Sequence, residues 1–296
     1  MVVDLLHEAA IKQREITAAR AICFIYTSQL YDNLLMSAEL LHALASAKVY
    51  DLAHTYRVGM PHHPVHPPYL FGLTKAHGEY MRGDVSSAAE AIALGGHVGT
   101  HIDALCHFSK EGKLFDGVNV GPVQSYAGGV NHLSIDTVGP ILRRGVLLDI
   151  AAHQQVEVLP IDFAIGPPVL EDAAGRQNVQ IAEGDVVLIR TGWATYWNNP
   201  KKYIAEVHGP GIDLGSARWL SAKGIFAAGS DTIAFEFVPS SMPVHAHFLV
   251  EKGIHIMEAL NMESLAADRV FEFTFVAIPL KLAGGTGSPI RPIALV

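Results

Sequence analysis

Three histidines and one aspartate fall within eleven residues, at His97, His101, Asp103 and His107. Imidazole nitrogens and carboxylate oxygens are the groups that hold Zn, Mn or Fe in hydrolytic sites. Their spacing limits how all four can meet. On a helix, His97 and His101 share a face, but Asp103 points elsewhere. Gly95, Gly96, Gly99 and Thr100 are also poor helix formers. On a strand, these odd-numbered positions all leave one face. A straight strand, however, spreads them over about 33 Å at ~3.3 Å per residue, too far for one centre. The stretch is therefore expected to be extended but bent, with Gly95, Gly96 and Gly99 letting it fold around a centre.

The same residues, His97-Val98-Gly99-Thr100-His101-Ile102-Asp103-Ala104-Leu105-Cys106-His107, match the pattern His-x-Gly-Thr-His-x-Asp-Ala/Pro-x-x-His. That pattern resembles the signature of the metal-dependent cyclase/hydrolase family, which includes bacterial kynurenine formamidase and isatin hydrolase. The resemblance runs from about Val49 to near the C-terminus. It takes in Gly184-Asp185-Val186-Val187-Leu188-Ile189-Arg190-Thr191-Gly192-Trp193, Glu258-Ala259-Leu260-Asn261 and the ending Gly284-Gly285-Thr286-Gly287-Ser288-Pro289. Leu105 and Cys106 stand where the family usually has a proline or an asparagine, which leaves the substrate class open.

The resemblance implies a divalent metal, Zn or Mn, held by His97, His101, Asp103 and Glu258. It also implies a site histidine at the start of a helix. The Pro-x-His register selects His245, with His247 as the fallback. With one metal, His107 and His245 handle protons; with two, Asp103 bridges and His107 and His245 join the second ion. The expected activity is hydrolysis of an amide, lactam or lactone bond in a small carbonyl compound by metal-activated water. The other readings are a non-catalytic metal- or ligand-binding protein of the same fold, and a polyketide-type cyclase. Structural zinc favours Cys and His ligands, so the carboxylates and the lack of clustered cysteines argue against a purely structural site.

Around this centre the chain must supply positioning elements. Val49–His54 reads as a strand. The proline-rich stretch from Gly59 to Phe71 excludes helix. It resembles the family's pocket-lining loop, so His62, His63 and His66 are not expected as ligands. Tyr69, Phe71 and Trp193 are the candidate substrate contacts, because aromatics commonly line small-molecule pockets. Gly145–Ile150, Val186–Trp193 and Ile225–Gly229 are apolar runs that read as buried strands. Ala217–Ala222 and His245–Lys252 read as helices closed by Gly224 and Gly253. Ile254–Glu258 and the first half of Val270–Leu280 alternate as strands, and Gly284–Pro289 reads as a flexible turn.

The chain's 296 residues, half of them apolar, suit a single large core. The expected fold is α/β: one compact domain over residues 47–296 with mixed β-sheets and flanking helices, of the swivelling β/β/α kind that the resemblance implies. Residues 1–46 are expected to be an N-terminal helical extension, on the helical spacing of Leu34, Ala38, Leu41 and Ala45. A net charge of -8 argues against a nucleic-acid partner. Cys23 and Cys106 make no disulfide framework, and Cys106 is expected as a small packing residue. The apolar run from Ala21 to Tyr26 is far shorter than the ~20 residues of a membrane span. These features suggest a cytoplasmic protein, and the resemblance implies a homo-oligomer, dimer or tetramer.

Overall fold

A computed structural model describes residues 38–296. Residues 38–46 form a helix. The remainder of the expected extension, residues 1–37, lies outside the described residues. Val49–Val296 form a compact unit of their own.

That unit is built on a nine-stranded sheet. Its strands are β1 (Val49–Asp51), β2 (His101–Asp103), β3 (Ile141–Asp149), β4 (Val186–Arg190), β5 (Ala227–Ser230), β6 (His255–Glu258), β7 (Glu272–Ala277), β8 (Gly287–Pro289) and β9 (Ile293–Leu295). The spatial order is β1-β9-β7-β3-β4-β5-β6-β2-β8. The four central strands, β3 to β6, run parallel, and every other pairing is antiparallel.

Burial on both faces explains why the central strands read as continuous apolar runs. Val146, Leu148, Val187, Ile189, Ala228 and Ile256 point into one core. Leu147, Val186, Leu188, Ala227 and Met257 point into the other. Helix α1 (Pro167–Gln177) places Leu170 and Ala173 in the first core, and α2 (Leu214–Ser221) adds Ala217 and Leu220. Asp213 caps α2 by accepting the Ser216 N–H at 2.7 Å. The fold is thus α/β, a mixed sheet with flanking helices. No helix among the described residues is long and apolar enough to cross a membrane.

Four elements differ from expectation. The third apolar strand runs over Ala227–Ser230, and α2 begins three residues earlier than its apolar spacing suggested. The glycine-rich ending is not only a turn, because Gly287–Pro289 pairs with β2 as an edge strand. Helix α3 starts as Pro243–His245 and continues over Ala246–Lys252 as a π-helix, closed by Gly253 at φ +66°. Such widened turns cluster at functional sites.

Candidate metal centre

The bend expected in the histidine stretch comes from a turn, a three-residue strand and a 3-10 turn. Gly99 holds φ at +69°, and a Cβ there would lie 2.6 Å from the Tyr56 ring. This turn carries His97 back over β2. Strand β2 then presents His101 and Asp103 on one face, while Ile102 enters the core on the other. The 3-10 turn Leu105–His107 brings the His107 ring to 3.8 Å from that of His97, nearly parallel. Gly287 on the neighbouring edge strand makes room, since a Cβ there would sit 2.5 Å from the His97 ring.

The other half of the site arrives from across the sheet. Glu258 ends β6 directly opposite His101. It therefore lies at the carboxyl end of the parallel strands, where open α/β sheets place ligands. His245 comes from the first turn of α3, with Nε2 3.2 Å from Glu258 Oε1 and 4.0 Å from Asp103 Oδ2. Donor atoms thus converge in two triples that share Asp103: His97 with His107, and His245 with Glu258. His101 stands beside both carboxylates, with Nε2 3.6 Å from Asp103 Oδ1 and 3.5 Å from Glu258 Oε2.

His101 supplies the test of whether a cation fits. Its Nδ1 lies 2.8 Å from the Gly99 carbonyl oxygen, so Nδ1 carries the proton in the neutral ring. Nε2 then bears a lone pair. That atom is buried with no hydrogen-bond partner and is flanked by two carboxylates. A buried lone pair facing anionic oxygens costs free energy. A divalent cation among these atoms would turn that repulsion into ligation, and the imidazole and carboxylate donors suit Zn or Mn.

Charge within the cluster is unevenly divided. Burial alone would push the Asp103 carboxyl up, but the imidazoles of His107, His97 and His101 outweigh it and hold it far below the usual range. Burial pushes His107 down to about 3, against the pull of Asp103. His245 goes the other way. Burial would lower it, yet its hydrogen bonds to Glu236 and Glu258, with the charges of Glu258 and Asp103, raise it to about 10. His97 is held at both ring nitrogens, 2.7 Å from Asp103 Oδ1 and 2.9 Å from Thr286 Oγ1.

A cavity of about 300 Å³ opens over the cluster, walled by His63, His66, Phe108, Ile233 and Val238. None of the three aromatic residues expected as substrate contacts lines it. Trp193 is a core residue whose indole N–H donates to the Tyr203 carbonyl at 2.9 Å. Tyr69 packs edge-on against Tyr56 at the margin of the same apolar cluster. Phe71 is 49% exposed on a separate two-stranded hairpin. The aromatic wall is Phe108, whose ring lies 4.9 Å from that of His245. Of the two histidines in α3, His245 joins the cluster. His247 turns away and bonds Glu251 and Ser221. Cys106 is buried beside Gly285, and burial pushes its thiol up to about 11, an unreactive environment.

One participant was not legible in the sequence, and another, His66, was set aside there. Glu236 accepts from His245 Nδ1–H at 2.7 Å, the carboxylate–histidine pairing that orients metal-site imidazoles. No spacing rule marks an acid nine residues before a histidine. His66 stacks 5.2 Å from His97 although prolines and a loop separate them in sequence.

A sequence model of the Cyclase family (Putative cyclase) matches residues 50–237. The chain is 26% identical to kynurenine formamidase of Bacillus cereus over 197 residues, 67% of this chain and 75% of that one. It is 26% identical to isatin hydrolase of Roseibium aggregatum over 215 residues, 69% and 73% of the two chains. A crystal structure described as a novel cyclase superposes with a TM-score of 0.79 at 28% identity, covering 86% of this chain and 88% of the other. With the family pattern matched over most of the folded unit, this chain belongs to the Cyclase family.

Proposed function

We propose that this protein is a metal-dependent hydrolase that opens an amide, lactam or lactone bond of a small carbonyl compound. The observation that carries the reading is His101 Nε2, buried, unpartnered and set between Asp103 and Glu258. His97, His101, Asp103 and Glu258 would hold the ion, with Asp103 central to both groups of donors. A bound Zn or Mn supplies Lewis-acid polarisation and a water acidic enough to ionise near neutral pH.

The chain's own residues do the rest. His107, stacked on His97 in the cavity wall, is placed to take a proton at the cavity edge. His245 keeps Nδ1–H on Glu236 and Nε2 beside Glu258 at the cavity wall, from which it delivers a proton to a leaving nitrogen or oxygen. Phe108, Ile233 and Val238 give the cavity an apolar wall that holds a compact ring or chain and limits water. The hydrolase names of the kynurenine formamidase and isatin hydrolase relatives support the same reaction class.

A hydrolysis panel tests this: an N-formyl arylamine, a five-membered lactam such as isatin, and an aryl lactone, with Zn- and Mn-loaded protein. Turnover of at least one, lost in His107→Ala and His245→Ala at unchanged fold, supports the reading. Fully metal-loaded protein that turns over none of them contradicts it.

A further inference from the structure

A second cavity, about 350 Å³, lies at the same end of the sheet beside β3. Asp149, which closes β3, is one of its lining residues, whereas Glu258 closes β6. Three inter-strand steps separate those ends, about 14 Å at ~4.8 Å each. This cavity is therefore distinct from the one over the histidines, and no residue lines both.

Its lining holds two guanidinium side chains, Arg176 from α1 and Arg269 from the turn after the helix Glu263–Ala267, with His153 at the end of the short helix Ile150–His153 that follows β3. The only acid in the wall, Asp149, is already satisfied. Its Oδ1 accepts from Arg190 Nη1–H at 2.8 Å and from the Ala152 N–H at 3.0 Å. Neither Arg176 nor Arg269 has a carboxylate partner among the described residues, as is also true of Arg57, Arg82, Arg143 and Arg218, so both guanidinium groups are available to an anion.

Arg176 in the last turn of α1 is explained in part by the negative end of the helix. Arg269 takes the left-handed position, φ +56°, that closes the helix Glu263–Ala267, with its N–H on the Ala266 carbonyl and the Val270 N–H on the Leu265 carbonyl, and it brings a second arginine to the same wall. One further feature is not explained by a helix end. His153 Nδ1 is buried with no hydrogen-bond partner. Phe271 adds an aromatic surface to the wall.

We infer that this cavity binds a small organic anion, its carboxylate or phosphate group held between Arg176 and Arg269 and its body against Phe271. Paired guanidinium forks match the oxygens of either group, and His153 Nδ1 offers one more polar contact. The inference does not depend on the hydrolase reading.

Isothermal titration of wild type with benzoate, and separately with inorganic phosphate, tests it. Titrations of an Arg176→Ala/Arg269→Ala variant and of His101→Ala complete the set. The expected result is binding of at least one anion by wild type. Affinity should be unchanged in His101→Ala and at least tenfold weaker in the arginine variant, which keeps wild-type metal content and thermal stability. Benzoate alone would identify a carboxylate site, and phosphate a phosphate site. Arg176→Lys/Arg269→Lys should fall between wild type and the alanine variant, because it keeps charge and loses the fork. If His101→Ala does not fold, metal-stripped wild type serves in its place. Binding of neither anion overturns the inference. So does equal affinity in the arginine variant, or loss only in His101→Ala, which would place the anion at the histidine cluster.

Discussion

Glu236 Oε1 accepts two hydrogen bonds from one residue, His245: the ring Nδ1–H at 2.7 Å and the backbone N–H at 3.0 Å. The pair fixes both the start of α3 and the rotation of the imidazole, so that Nε2 faces Glu258. Ser240 Oγ–H donates to the other carboxylate oxygen at 2.8 Å, which stops Glu236 from turning away. Glu236→Ala should lower kcat/KM by about 10–100-fold, the usual cost of losing a residue that orients a metal-site histidine. Glu236→Gln can still accept from Nδ1–H but lacks the charge. The proton affinity of His245 should then fall from about 10, seen as a downward shift of its ring signals in an NMR titration.

Gly99 and Gly287 are needed for opposite reasons. Gly99 has a positive φ and the Tyr56 ring against it, so Gly99→Ala is strained twice. It should destabilise the fold by about 1–2 kcal/mol or more, measured by urea unfolding. Gly287→Ala places its Cβ 2.5 Å from the His97 ring, so His97 itself must move. Reduced metal affinity with a smaller loss of stability is the expected outcome.

His54 gives the fold a defined acid sensitivity. Burial pushes its imidazole down from 6.5 to about 4, with the Leu260 carbonyl partly opposing. The unfolded chain therefore takes up this proton at a higher pH than the folded one. The resulting stability is fully present above pH 6.5 and is lost as pH falls through about 4. The ring stacks on Trp197 at a centroid distance of 4.1 Å, so His54→Phe keeps an aromatic contact and removes the titration. The decline of Tm between those pH values should be shallower in His54→Phe by one proton's worth.

Arg190 holds the carboxyl ends of β3 and β4 together. It donates to Asp149 at 2.8 Å and grips Glu263 with two parallel bonds at 2.9 and 2.8 Å. Arg190→Ala leaves Asp149 buried without its cation and should cost about 3–5 kcal/mol. A fall in Tm far larger than that of Arg291→Ala, whose ion pair is exposed, checks this.

These sites differ in how far the sequence could reveal them. Val186–Arg190 was legible as a strand because both of its faces are buried and every residue is apolar until Arg190. His97, His101, Asp103 and His107 were legible as a cluster because their types and glycine spacing leave few arrangements. Gly287–Pro289 was not, since a strand made of glycine, serine and proline exists only through its pairing with β2. Trp193, Tyr69 and Phe71 drew attention as aromatics, but sequence does not say which ring faces a cavity and which fills a core. Glu236 was silent for a related reason: its meaning depends on a helix start brought beside it by the fold.

The central claim is that His101 Nε2 ligates a cation between Asp103 and Glu258, and metal content tests it most directly. Mass spectrometry of purified protein, reconstituted with Zn or Mn and compared with His101→Ala, should find one or two equivalents in wild type and loss in the variant. No bound metal in either protein after reconstitution, or equal content in both, would contradict the account.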